Sequence, residues 1–594
     1  MNPAPDFVAP RTGPLRLVLF GVTALVAVAF GFLVPTVEQA RMWVQTYGYY
    51  TMVFTVAWAV VAAVRSARDW RHDLPATTRR DRWELAAAIG GLTLVAVLTV
   101  PYTYKVLFDE FVLQSTALCL HEAREVGAIV RGYEVDGVFS TFQHYLDKRP
   151  FFFAFVVSLL HDLTGYREAN MFALNTALMP VILALLYVLA RRVASHRAAL
   201  AAVCGLGAFA LLAHNATGSG MEMLNLAMLL LVMLLACRYL AAPNGPRLSL
   251  LILGTVLLAQ SRYESGLYVL PAAVVVLEGW RRAGRLILPA AAVLAPALLI
   301  PYALHNTYLS GTPILWELRE GESARFGPDY FANNLGHAWT FFTSVSGRYL
   351  NSWWLTLAGF PALLVAGVAA LRSLKRWRMA SATHVAVVIF GAAIAANLGL
   401  LMFYYWGGLD DPIVSRLSLP FCALLTLAIA WCCGLVRPEW RPTAAKWAIA
   451  GALLAYLTSG LRANASFWAM NLQATEIAWE VDTVQRLSPE SRLVITNKSA
   501  LIWLNHQIPS IQVVRARMRG EALQFHLDQH TFEEVWVTQK FRPSGAEGNY
   551  QLDPEDRLPD TFVLEPIRER RFGTSITRIS RLVRINPAPP AGDT

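Results

Sequence analysis

The sequence predicts a polytopic α-helical membrane protein of about thirteen transmembrane helices, ending in a small extracytoplasmic α/β domain. Three observations predict it. Of 594 residues, 55% are hydrophobic and 15% are charged, against about 25% charged in a soluble globular protein. Apolar runs that reach the ~20 residues needed to cross a bilayer recur along the first 460 positions. The Arg and Lys residues behind the net charge of +10 fall in short clusters between those runs. That is the pattern of cytoplasmic loops, not of a nucleic-acid-binding face.

The runs expected to span are 15–36, 47–64, 84–103, 167–190, 198–214, 221–240, 247–260, 263–279, 284–303, 353–371, 382–406, 412–434 and 443–460. The first is long enough to span and has no clean cleavage site after it, so it reads as a helix and not as a removed signal. Arg65, Arg68, Arg71, Arg79, Arg80 and Arg82 place the loop after the second run in the cytoplasm. The run 151–163 is borderline in length. Taken as a surface-lying or re-entrant helix, it leaves Arg191, Arg192 and Arg197 inside. Then Arg281, Arg282 and Arg285, Arg372, Lys375, Arg376 and Arg378, and Arg437, Arg441 and Lys446 also fall inside. The N-terminus is then cytoplasmic and the C-terminus external. The domains expected are 1–460, a membrane domain with external loops at 104–166 and 304–352, and 461–594, an external α/β domain.

In the tail, 492–496, 510–514, 532–538, 561–564 and 575–583 read as strands, and 500–504 and 519–528 as helical. Strands alternating with helices favour a small α/β layer. No P-loop or dinucleotide glycine pattern occurs in it, so it reads as a covering or acceptor-handling domain. The end from Pro587 to Thr594 reads as a loose tail. Five of the six cysteines lie in apolar runs, and neither a disulfide framework nor metal spacing follows.

The segment 104–150 carries the densest group of ionisable residues in the first half. It also holds Phe108, Phe111, Tyr133, Phe139, Phe142 and Tyr145, which is enough aromatic surface to pack. Asp109-Glu110 reads as an active-site carboxylate pair at the membrane surface. His121, Glu122, Glu125 and Asp136 read as solvated faces of short surface helices. Further along, Arg262 and Glu264 interrupt an apolar stretch, and an ionisable residue at membrane depth is a functional candidate by default. Glu222 starts a helix on the outer side, where the helix dipole alone would also favour it. Arg416 suits phosphate through its planar fork, or pairs with Asp410 or Asp411. Arg262 and Glu264 also fit a plain polar turn. Lys148 and Arg149 fit phosphate contact or snorkelling. The aromatic group at 330–354 fits an interfacial belt or a groove.

In order, these residues form a pattern: Asp109-Glu110 at the start of a large external loop, Lys148-Arg149-Pro150 and Thr164-Gly165 near its end, Ala190-Arg191-Arg192 closing a long helix, and Arg416-Leu417-Ser418-Leu419-Pro420 before a late span. The pattern resembles the GT-C glycosyltransferases, particularly the branch with the protein O-mannosyltransferases and the lipid A aminoarabinose transferase. It departs from the family in having three helices before the acidic loop, Lys-Arg-Pro in the basic motif and Arg-Leu in the late one.

The resemblance implies transfer of a hexose or pentose from a polyprenyl-phosphate sugar to an extracytoplasmic glycan, lipid or protein, with inversion. It makes Asp109 the base, with Glu110 beside it, since such a transfer needs a group to take the acceptor's proton. It assigns Arg262, Arg416, Lys148 and Arg149 to the donor phosphate, and Glu222 with Glu264 to a second acidic site near the phosphate. In the family that site sometimes holds a divalent metal, and the metal requirement is left open. No other cofactor and no nucleic acid are expected. Composition points to a bacterial inner membrane. The rival from another class is a transporter or lipid flippase. It fits less well, because the ionisable residues gather on the external side and no paired broken helices suggest inverted repeats. A non-catalytic scaffold is the third reading.

Overall fold

The computed structural model describes residues 13–67, 69–70, 76–135, 137–316, 318, 322, 324–375, 377–488, 491–544 and 549–587. Arg68, Arg71, Asp136, Arg376 and the expected tail from 588 onward lie outside them. The chain divides into two compact units. One, the membrane unit, comprises Met1–Tyr102, Lys148–Val157 and Ala169–Phe467. The other comprises Thr103–Asp147, Ser158–Glu168 and Trp468–Thr594. The segment 103–147, which the sequence attached to the membrane part, thus packs with the C-terminal region.

In the membrane unit, every run expected to span carries helix. Among the described residues, ten helices are long and apolar enough to cross a membrane. Local signals set their starts. Thr36 with Gln39 caps Val37–Arg65, and Thr78 with Asp81 caps Arg79–Thr99, each a reciprocal capping box. Three expected spans differ in form. The run 198–214 is a pair, His196–Gly207 and Ala210–Ala216, bent by 66°. The run 247–260 is the 15-residue helix Gly245–Ala259. The run 263–279 opens as a tight turn, Glu264–Tyr268, before Val269–Ala283. The helix Phe152–Thr164 has 13 residues, fewer than a span requires.

Burial sorts the spans. Pro14–Leu33 is only 6% buried along its apolar window, so its side chains need lipid. Glu222–Ala241 is 94% buried along its own window and is packed by Ala169–Arg191, Gly245–Ala259 and Ala382–Leu401. It is the hub of the unit, and Glu222 stands at its N-terminus.

The second unit is built on a mixed sheet. Its strands are β3 (Arg492–Thr496), β4 (Ser510–Gln512), β5 (Glu534–Pro543), β6 (Tyr550–Gln551), β7 (Phe562–Phe572) and β8 (Ser575–Ile585), after a hairpin of β1 (Ala128–Val135) and β2 (Val138–Tyr145). The sheet order is β4-β3-β5-β8-β7, with β6 on β5. The β4-β3-β5 part is parallel, and the β5-β8-β7 part is antiparallel. Strand alternation builds two apolar layers. Val494, Trp536 and Ile579 pack with Ile477, Val481, Phe111 and Val112, whereas Leu493, Ile495, Val535 and Leu582 pack with Val513 and Leu523. Phe111 and Val112 are thus core residues of the C-terminal sheet's unit. Asn505 fixes that packing by donating to the Phe111 carbonyl at 2.9 Å.

Two local expectations need correction. Asp109-Glu110, expected at the start of a loop directly after the third run, stands instead in the first turn of a helix of its own, Phe108–Glu122. The helix of the third run ends at Thr99, before Pro101. Of the residues expected on short surface helices, His121 and Glu122 do end the helix Phe108–Glu122, whereas Glu125 lies beyond it, ahead of the β1–β2 hairpin. His121 bonds Asp162 at 2.6 Å, and Glu125 pairs with His144 on β2.

Candidate active site

The membrane unit gathers Glu222, Arg262, Glu264 and Arg416. The chain reaches Glu222 through a loop held from behind. Asn175, on Ala169–Arg191, donates to the carbonyls of Gly218 at 2.9 Å and Gly220 at 2.8 Å. The Glu222 carboxylate folds back over Gly220, where an added Cβ would lie 2.2 Å from its Oε2. Three residues on, Asn225 Oδ1 accepts from Ser261 Oγ at 2.7 Å and from Ser265 Oγ at 2.6 Å. Those two bonds tie the break after Gly245–Ala259 to the hub helix and fix Arg262 between them. Arg416 enters from a tight turn, Arg416–Ser418, at the head of Leu419–Leu435, and its Nε donates to the Ile413 carbonyl at 2.9 Å.

Both guanidiniums then meet one carboxylate oxygen. Glu222 Oε1 lies 2.5 Å from Arg262 Nη1 and 2.7 Å from Arg416 Nη1, with the Glu222 side chain 3% exposed. Arg262 Nε lies 2.7 Å from Glu264 Oε1. A buried carboxylate alone would be very costly, so the two arginines are what allow an acid here. Arg416, expected to bind phosphate or to pair with Asp410 or Asp411, meets Glu222 as its acid here. Asp410 holds His337 at 2.8 Å, and Asp411 caps its own short helix by accepting from the Ile413 N–H at 2.7 Å. The polar turn of Arg262 with Glu264 forms as well. A divalent cation does not fit on Glu222, whose charge two guanidiniums already compensate. Among the described residues, no group of three or more His, Cys, Asp and Glu could hold a metal ion.

Asp109 and Glu110 belong to the second unit and divide in role. Glu110 is 1% exposed. Its Oε2 accepts the N–H groups of Lys105 and Val106, the latter at 2.7 Å. That is the work of a first-turn carboxylate reaching back over its own helix start, and it holds the tight turn at Leu107, where φ is 45°. Asp109, next to it, is half-buried. The Lys105 side chain is buried. Burial pushes its pKa down to about 7, against the opposing pull of Glu110. Lys148 and Arg149 lie in the membrane unit just before Phe152–Thr164, Lys148 half-buried and Arg149 buried.

Sequence reading missed Asn175, Gly220, Asn225, Ser261 and Ser265, which position the arginine–glutamate cluster. The available signal was polar side chains inside otherwise apolar runs, and single ones are too common to single out.

No protein-family model matches the sequence, and no curated protein does. Among solved structures the fold is similar to ArnT from Cupriavidus metallidurans bound to undecaprenyl phosphate, at 13% identity and a TM-score of 0.48, covering 86% of this chain and 99% of that one. It is also similar to the oligosaccharyltransferase AglB from Archaeoglobus fulgidus in complex with an inhibitory peptide and a dolichol-phosphate, at 12% identity and 0.44, covering 78% and 70%. A third is the arabinosyltransferase EmbB from Mycobacterium smegmatis, at 13% identity and 0.33, covering 69% and 46%. At 12–13% identity these likenesses are of fold alone.

Proposed function

We propose that the chain is a membrane glycosyltransferase that moves a sugar from a polyprenyl-phosphate carrier to an extracytoplasmic acceptor, with inversion. The observation that carries this reading is the convergence of Arg262 and Arg416 on one oxygen of buried Glu222. Two fixed guanidiniums in the membrane unit suit the phosphate of a lipid-linked donor, because their planar forks bind phosphate oxygens. Glu222 holds both arginines in place before the donor arrives, and Glu264 holds Arg262 from its Nε side. Lys148 and Arg149 assist at the end of the external loop.

Asp109 takes the proton from the acceptor hydroxyl or amine. The freed lone pair attacks the anomeric carbon, and the bond from that carbon to the phosphate oxygen breaks. Polyprenyl phosphate leaves as the anion without a proton, so one base suffices. Glu110 serves this step by fixing the helix start that carries Asp109. In this reading the protein lies in a bacterial inner membrane, with its N-terminus cytoplasmic and its C-terminal region outside. Transfer from a labelled polyprenyl-phosphate sugar in membranes tests it. The Asp109→Asn variant must insert normally and lose transfer, and transfer at the wild-type rate would remove Asp109 as base.

A further inference from the structure

The second unit contains a cavity of its own, which the transfer reading has not used. Its volume is about 380 Å³, within the size range of small-molecule sites. It opens at the carboxyl ends of β3 and β5. Asn497 and Lys498 directly follow the last residue of β3, and Lys540 and Arg542 lie on β5 beyond the pair Thr496–Thr538. The chain leaves β3 for β4 on one side and returns as β5 on the other. Carboxyl strand ends at such a reversal of strand order are where open α/β sheets bind ligands.

The walls are of two kinds. Phe108, half-exposed, and Phe111 are the aromatic members of the lining, and Lys498, Lys540 and Arg542 are its cations. The lysines are anchored from behind. Buried Glu476 takes Lys498 at 2.7 Å on one oxygen and Lys540 at 2.8 Å on the other. Glu480 also pairs with Lys498, and Thr577 donates to Glu476. Lys540 is thus held in place on Glu476, and Arg542 is tethered to Asp553 at 3.1 Å. Burial pushes the Glu480 carboxyl up against the pull of Lys498. Burial also pushes up Asp556, in the cavity wall.

We propose that this cavity binds an acidic saccharide, a sugar ring bearing a carboxylate or phosphate, with its C–H face on Phe108 and its charged group on Lys540 and Arg542. An aromatic face matches the apolar side of a pyranose, and the lysine–arginine pair matches the acid. Assigning that saccharide to the acceptor rests on the transferase reading; the binding itself does not.

The test is calorimetric titration of the full chain in nanodiscs with glucuronate, glucose 6-phosphate, glucose and inorganic phosphate. At least one of the two acidic sugars binds, and glucose and inorganic phosphate bind at least tenfold more weakly. The pattern between glucuronate and glucose 6-phosphate identifies the acid. Phe108→Ala and Arg542→Gln, both at exposed side chains, each weaken the acidic sugar at least fivefold and leave the affinity for polyprenyl phosphate unchanged. The proposal is overturned if neither acidic sugar binds, if inorganic phosphate binds as tightly as the acidic sugars, or if both variants bind like wild type. Failure of the transferase reading looks different: acidic sugars would bind as stated, while the wild-type protein in membranes would move no sugar from a labelled polyprenyl-phosphate donor.

Discussion

Replacing Arg416 by Gln removes one of the two guanidiniums on the Glu222 carboxylate. The size of the effect follows from where that carboxylate sits. With its side chain 3% exposed, Glu222 cannot rehydrate as a surface acid does, for which losing a partner costs about 0–1 kcal/mol. Breaking a buried pair from one side costs roughly 3–5 kcal/mol. Arg262 stays at 2.5 Å but is shared with Glu264 at 2.7 Å, so the low end, about 3 kcal/mol, is expected. Removing the acid as well, in Glu222→Gln/Arg416→Gln, takes away the uncompensated charge and leaves Arg262 paired with Glu264. Coupling between such neighbours should return about 2 kcal/mol. The assay is the thermal midpoint of the detergent-solubilised full chain, followed by tryptophan fluorescence in one detergent and lipid mixture. Wild type should melt highest, the double variant next and Arg416→Gln lowest. In a donor titration the folded double variant should bind the polyprenyl-phosphate carrier at least tenfold more weakly. An Arg416→Gln protein that melts with wild type, or a double variant that melts below it, refutes the reasoning.

Gly220→Ala places a methyl where Glu222 Oε2 now lies, 2.2 Å from the added Cβ, and the carboxylate cannot swing away without leaving its arginines. A loss of about 1–3 kcal/mol and a raised KM for the donor are expected, and an unchanged midpoint with unchanged KM would contradict this. Lys105, whose pKa falls from 10.5 to about 7 through burial, makes stability depend on pH. Below pH 7 it is charged both folded and unfolded, and folding bears the cost of burying the charge; between 7 and 10.5 the unfolded chain binds a proton that the folded one does not, so stability rises with pH. Hydrogen exchange in Phe108–Glu122 should slow from pH 7 to 9 after correction for intrinsic rates, and Lys105→Met should flatten that trend; an equal trend in both proteins would be the opposing result.

Much of the architecture is readable from apolar run length, because backbone groups in lipid must bond within their own helix. The three expected spans that differ in form do so at polar or bent points. The segment after Gly245–Ala259 breaks where Ser261, Arg262 and Ser265 need partners on the hub helix. The hairpin does carry a legible signal, since Asp-Gly between β-branched and aromatic residues is a strong turn pair. Ala128 and Ile129 pack into the second unit, but Val130, Val135, Val138 and Phe142 are exposed, so the hairpin's pattern resembles a solvated surface. Arg262, Glu222 and Arg416 stood out because ionisable groups in apolar runs are costly and rare. That both arginines meet the same oxygen of Glu222 was not legible, because 194 residues separate Glu222 from Arg416 and only packing brings them together. Nor was the structural work of Glu110, since adjacent acids at a helix start look alike until one is seen bonded to the backbone.

The most direct test of the central claim is a single measurement on Asp109→Asn in native membranes: the rate of sugar transfer from a radiolabelled polyprenyl-phosphate sugar, with insertion and carrier binding checked alongside. The account predicts wild-type insertion, carrier affinity within about twofold and a transfer rate lower by about 10²–10⁴, the usual contribution of a general base. Transfer at the wild-type rate by a correctly inserted Asp109→Asn protein would contradict it.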